Sequence, residues 1–196
     1  MRTRELAVSG AHVFEPEIYR DRRGSFCSPH QNAAFTGALG RQMFPVAQVS
    51  TSRSQRGVVR GIHFTAGPDS MAKYVLCTGG RALDVVIDLR LGSPTFGRHD
   101  RVELSPDTGA ALYLPPGVGH LFVALGNDTT MVYLLSAAYR ADRERAVHPL
   151  DPALGLDLPT GLEPVLSDRD QDAPALAAAR AAGLLPDYAE LHGGEW

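Results

Sequence analysis

Residues 72–90 read Ala-Lys-Tyr-Val-Leu-Cys-Thr-Gly-Gly-Arg-Ala-Leu-Asp-Val-Val-Ile-Asp-Leu-Arg, and their patterning decides the fold class. Two runs rich in apolar and β-branched residues, Ala72–Thr78 and Arg81–Leu89, flank Gly79-Gly80. Paired glycines between two such runs read as a hairpin turn. Side chains alternate along a strand, so Leu83, Val85, Ile87 and Leu89 form one wholly apolar face. Ala82, Asp84, Val86, Asp88 and Arg90 form the other. A mixed face of this kind commonly meets solvent. Several of them in a small barrel would instead line a polar cavity.

Working outward, Val58–Phe64, Ala110–Leu114, His120–Leu125 and Thr130–Ala138 read as further short strands, with Pro115-Pro116-Gly117 as a tight connection. In the last of these, Met131, Tyr133, Leu135, Ala137 and Tyr139 share a face. From about residue 44 to 139 no helical pattern intervenes, which indicates an all-β sandwich or barrel. Helical signals lie mainly after Pro174, where Ala175–Ala182 is alanine-rich, and a short helix is expected over 32–39. The 196 residues suit one domain, 1–196, with a core of its own.

The net charge of −3 carries no basic block, so neither nucleic acid nor an anionic membrane is implied. No apolar run approaches the roughly 20 residues that span a bilayer, and the Met1-Arg-Thr-Arg-Glu start lacks the apolar stretch of a signal peptide. Cys27 and Cys77 lie far apart outside any metal or redox motif, which suits a reducing cytoplasm. Among 19 basic residues the one lysine is Lys73, as expected if a compact, tunable ammonium is needed there.

Arg60-Gly61-Ile62-His63-Phe64 is the first segment with chemical content. A mid-strand histidine is most often structural, but it becomes a general base if a carboxylate fixes its tautomer and a ketone reaches it. Arg60 and His63 have opposite parity, so both face one ligand only if Gly61 marks a bulge.

Together with Asp21-Arg-Arg-Gly-Ser-Phe26, Asp84–Arg90, Ser93-Pro-Thr-Phe-Gly97 and Leu166-Ser-Asp-Arg-Asp170, this segment resembles the dTDP-4-dehydrorhamnose 3,5-epimerase family, in register from about residue 10 to 175. The resemblance implies a cupin-type jelly-roll β-barrel with short flanking helices mainly at the C-terminus, dimeric and working without metal or cofactor. It implies His63 as the base that removes the proton beside the ketone, Asp170 as its carboxylate partner, Tyr133 as the acid on the opposite face and Lys73 as the cation near the carbonyl oxygen. Arg23, Phe26, Gln48, Arg60, Asp84, His120, Glu144 and Arg169 fall on substrate- or nucleotide-contacting positions, and Tyr139 on the residue that stacks on the base. The residue matching Arg23 reaches the neighbouring subunit's site in relatives. The implied substrate is a dTDP-linked 4-keto-6-deoxyhexose.

Those roles suit the chemistry. A C–H beside a ketone is a weak acid, so its removal requires stabilisation of the enolate oxygen, which Lys73 and His120 could supply. Arginines suit a diphosphate because their fork binds oxyanions bidentately. Taken singly, Asp170 reads as a surface acid, His120 as a turn residue and Glu144 as part of a wet, charged stretch; only the joint pattern favours a site.

Several positions depart from the family pattern: Ser50 for Asn, Ser28 for Glu, Thr65 for Gln, Tyr74 for an aliphatic residue, Gly119-His120-Leu121 for Ala-His-Gly and Leu158-Pro159 for Trp-Pro. They point to a specialised relative that inverts C3 alone in unusual deoxysugar biosynthesis, with 3,5- or 5-epimerisation as the alternative. A metal cupin would carry His-x-His, but Phe64 and Thr65 follow His63. A 3,4-ketoisomerase would move the ketone, and a non-catalytic sugar-nucleotide-binding barrel would not be expected to keep His63, Asp170 and Tyr133 together.

Overall fold

The computed structural model describes residues 1–67 and 70–192. The N-terminal quarter holds strands β1 (Arg2–Glu5), β2 (His12–Glu15), β3 (Tyr19–Asp21) and β4 (Gly24–Phe26), then helix α1 (Asn32–Leu39). The middle holds β5 (Gln48–Ser54), β6 (Val59–Thr65), β7 (Lys73–Gly79), β8 (Ala82–Ile87) and β9 (His99–Leu104). It continues through β10 (Ala111–Leu114), β11 (Gly119–Ala124), β12 (Thr129–Leu135) and β13 (Glu144–Ala146). The short helices α2 (Asp168–Gln171), α3 (Leu176–Ala181) and α4 (Tyr188–His192) follow. Among the described residues no helix is long and apolar enough to cross a membrane.

Two antiparallel sheets face each other, one ordered β1-β2-β10-β7-β12-β5 and the other β13-β6-β11-β8-β9. Between them lies a core of Val13, Val75, Leu112 and Met131 from the first sheet and Val86, Leu104 and Phe122 from the second. This is the all-β arrangement expected from the strand pattern, and the jelly roll that the family resemblance implies. Helix α1 forms over the residues expected and covers the back of the first sheet, where Phe14, Phe35, Tyr74 and Tyr113 pack as an aromatic cluster. The C-terminal segment covers the back of the second sheet with Leu154, Ala179 and Leu185.

Two features of residues 72–90 differ from their simplest reading. Gly79-Gly80 does not close a hairpin: β7 and β8 belong to opposite sheets, so the turn is an arch across the barrel. Glycine is required because Gly80 has φ 65° and a Cβ there would lie 2.8 Å from Thr129 Oγ1. The apolar face of β8 also points outward, Leu83, Val85, Ile87 and Leu89 packing under the C-terminal segment. The mixed face therefore turns into the barrel.

That mixed face divides by function. Asp88 and Arg90 form a fully buried pair at 2.8 Å, Ser93 and Thr95 hydroxyls each donate to Asp88 Oδ2 at 2.6 Å, and Arg90 donates to the Ser9 carbonyl and lies 5.0 Å over the Tyr188 ring. Burial pushes the Asp88 carboxyl up, but these donors hold it below the usual carboxylate range. The knot joins the end of β8 to the N-terminal loop and α4, and losing either charge would strand the other. Asp84 instead reaches the barrel's polar interior.

Candidate active site

The site lies between the sheets where strand pleat and one bulge bring polar side chains together. Opposite β11, His63 pairs with His120 and Arg60 with Phe122, so three steps on β6 match two on β11. The extra residue resets the parity, and Arg60 and His63 both line the cavity, as the sequence required of a bulge at Gly61. Gly61 has φ 131°, and a Cβ there would stand 2.5 Å from the His120 carbonyl oxygen. The bulge therefore allows no side chain.

The cavity measures about 210 Å³ and is lined by Ser50, Ser52 and Tyr133 from one sheet and by Arg60, His63, Phe122 and His120 from the other, with Lys73 and Leu135 also in its wall. An adjoining groove of about 380 Å³ shares Arg60, His63, Tyr139 and Glu144 and continues over Arg169 and Asp170. Among the described residues, no three His, Cys, Asp or Glu side chains converge as a metal-ligand set.

His63 Nε2 lies 2.7 Å from Asp170 Oδ1, a contact spanning 107 residues of sequence. Helix α2 places this aspartate: Ser167 caps the helix by accepting from the Asp170 N–H, and the carboxyl is buried. Burial raises the Asp170 pKa, but the bond with His63, the Ser167 hydroxyl and the Gly61 N–H hold it below the usual range. A charged carboxylate only accepts, so the proton of neutral His63 sits on Nε2 and its lone pair on Nδ1.

Tyr133 projects from β12, in the sheet opposite His63. Burial pushes its phenol well above the ordinary tyrosine value, so it is protonated at neutral pH. Its ring meets His120 edge-on, with centroids 6.0 Å apart. His120 Nε2 lies 2.8 Å from Asp84 Oδ2, and Asp84 Oδ1 is buried without a hydrogen-bond partner among the described residues. Lys73 is buried in the cavity wall with no ion pair among the described residues. Burial lowers its pKa, while the charges of Glu144 and Asp84 act in the opposite direction.

The rim is organised around Tyr139. Its backbone N–H donates to Gln48 Oε1 at 2.8 Å, and Gln48 Nε2 donates to Ser50 Oγ at 2.9 Å. Arg169 bridges Glu144 Oε2 at 2.8 Å and the Tyr139 hydroxyl at 3.5 Å. Glu144 therefore belongs to the site and not to a wet loop. Gln48 and Asp84, expected to contact ligand, instead stand behind residues that line the cavity.

Arg23 and Phe26 are not brought to the cavity. They lie on the β3–β4 ribbon, whose residues are all exposed, and Arg23 pairs with Asp21 at 2.6 Å. Ser52 also lines the cavity: along Gln48-Val-Ser50-Thr-Ser52-Arg-Ser54 its parity groups it with Gln48, Ser50 and Ser54, and burial shows that this face turns inward. Cys27 and Cys77 are free thiols.

Residues 5–178 match the family described as dTDP-4-dehydrorhamnose 3,5-epimerase. The chain belongs to that family. The dTDP-4-dehydrorhamnose 3,5-epimerase of Streptomyces griseus is 49% identical over 187 residues, covering 95% of this chain and 92% of that one. The crystal structure of a 4-keto-6-deoxy sugar epimerase from the novobiocin biosynthetic gene cluster of Streptomyces spheroides superposes with a TM-score of 0.93 at 48% identity, covering 97% and 95% of the two chains. A 3'-monoepimerase from Streptomyces bikiniensis, solved with dTDP-quinovose, superposes with a TM-score of 0.91 at 46% identity, covering 96% and 94%. Members of the dTDP-4-dehydrorhamnose 3,5-epimerase family thus include relatives of this chain named for inversion at one carbon and at two.

Proposed function

We propose that this epimerase inverts C3 of a dTDP-linked 4-keto-6-deoxyhexose, as a single catalytic domain without metal or cofactor, for the biosynthesis of an unusual deoxysugar such as those of antibiotics. The observation that carries the reading is the His63–Asp170 pair at 2.7 Å, set in one cavity with a protonated phenol from the opposite sheet. His63 Nδ1 takes the C3 proton, and the electrons of the C–H bond move to the C4 oxygen as an enolate. Lys73 and His120 stabilise that oxygen, and Tyr133 delivers a proton to the other face of C3. Arg60 and Arg169 suit the diphosphate, and Tyr139 at the rim offers a ring face for the base. The name of the Streptomyces spheroides relative supports the 4-keto-6-deoxy sugar as substrate, and that of the Streptomyces bikiniensis relative supports the dTDP carrier and the monoepimerase choice.

The test is turnover of dTDP-4-keto-6-deoxyglucose in deuterium oxide, followed by NMR. Label is expected at C3 of the product and not at C5; label at both carbons would overturn the single-site assignment. In Tyr133→Phe, hydrogen at C3 should still exchange into recovered substrate, while inversion falls about 10²-fold or more.

We also infer a homodimer, in which the exposed ribbon carrying Arg23, Tyr19 and Phe26 packs on a second copy. Light scattering should return twice the 21.0 kDa chain mass, and a monomer at working concentration would refute it. A cytoplasmic location belongs to the same proposal, since Cys27 and Cys77 lie far apart in the sequence and outside any metal or redox motif.

A further inference from the structure

Strand β5 stands at the edge of its sheet and turns Val49, Thr51 and Arg53 outward, while Gln48, Ser50, Ser52 and Ser54 face inward. Each of three inward groups holds a part of the site. Gln48 accepts from the Tyr139 backbone, and Ser54 Oγ accepts from Arg60 Nε at 3.1 Å. Ser52 Oγ lies 3.4 Å from the Tyr133 hydroxyl, and among the described residues no other group hydrogen-bonds that phenol. The pairing explains the contact. Tyr133 stands directly opposite Ser50, and Ser52 opposite Met131, so Ser52 is the diagonal neighbour that an aromatic side chain reaches.

We propose that Ser52 is a positioning residue for proton return: its hydroxyl directs the Tyr133 oxygen over the cavity and donates to the phenolate left when the proton has been delivered. The inference rests on Tyr133 as the acid. A phenolate in a buried site without a donor bears its full desolvation penalty. His120 contacts the ring and leaves the oxygen to Ser52. The separation of 3.4 Å is long for a hydrogen bond, and catalytic contacts of this kind tighten when substrate fills a site. Proton removal at His63 takes place on the other sheet and does not pass through this bond.

The experiment compares wild type, Ser52→Ala, Ser52→Thr and Tyr133→Phe with dTDP-4-keto-6-deoxyglucose in deuterium oxide. Two rates are read: deuterium entering C3 of recovered substrate, and appearance of inverted product. Ser52→Ala is expected to slow inversion on the order of ten- to a hundredfold, the size of a lost hydrogen bond to a charged group. Exchange into substrate and KM should stay within about threefold of wild type, because a group that acts after proton removal affects neither. Ser52→Thr, which keeps the hydroxyl, should restore most of the inversion rate. A parallel fall of both rates in Ser52→Ala, or inversion at the wild-type rate, would overturn the assignment. Normal inversion by Tyr133→Phe would instead remove the acid on which it rests.

Discussion

A His63→Ala variant in deuterium oxide is expected to leave C3 of dTDP-4-keto-6-deoxyglucose unlabelled and to turn over about 10²–10⁴-fold more slowly than wild type. Both losses follow from one atom. Asp170 holds the Nε2 proton of His63, so Nδ1 is the lone pair available to a C–H, and alanine supplies none. The arginines of the adjoining groove are untouched, so nucleotide affinity measured by calorimetry with dTDP should remain within a few-fold. Wild-type exchange by the alanine variant would show that another group removes the proton.

Lys73→Met is expected to lower kcat about 10²–10³-fold, the effect of removing one preorganised oxyanion partner. It should also fold at least as stably as wild type. Burial lowers the Lys73 pKa, so the unfolded chain binds that proton more tightly than the folded one, and keeping the charge inside costs stability wherever it is protonated. An apolar side chain of similar length removes that cost. Thermal unfolding and initial rates on the same samples check both halves, and unaltered turnover would remove Lys73 from the mechanism. The pH profile offers a further check within this prediction. The cation is present below its pKa and lost above it, so the alkaline limb of kcat/KM, which follows the enzyme before substrate binds, should begin below the ordinary lysine value of about 10.4.

Local features of the site were legible in the sequence for identifiable reasons. Period-two patterning gave β6, β7, β8, β10, β11 and β12 to within a few residues, because each buries apolar side chains on a defined face. Parity alone required a bulge at Gly61 if Arg60 and His63 share a ligand, and the β6–β11 register contains it. Long-range placement was not legible in the same way. Nothing near Gly79-Gly80 distinguishes a hairpin from an arch, since both need glycine; Thr129, far along the chain, makes the close approach. Strand β9, His99–Leu104, is mostly exposed or half-buried and lacks an apolar face strong enough to mark it. Asp170 could be linked to His63 through the family resemblance alone, because a four-residue helix brings it across 107 positions. The place of Ser52 is not legible in the sequence because alternating polar residues ordinarily face water, and here they face the cavity.

Among the described residues the last strand ends at Ala146, yet Asp170 and the apolar cover of the second sheet, Leu154, Ala179 and Leu185, all come afterwards. Synthesis runs from the N-terminus, so every strand can emerge from the ribosome before the carboxylate that orients the histidine exists. The same late stretch that shields the greasy back of the sheet also supplies the hydrogen-bond partner of His63. Docking of residues 154–185 thus covers the sheet and seats the aspartate beside the histidine.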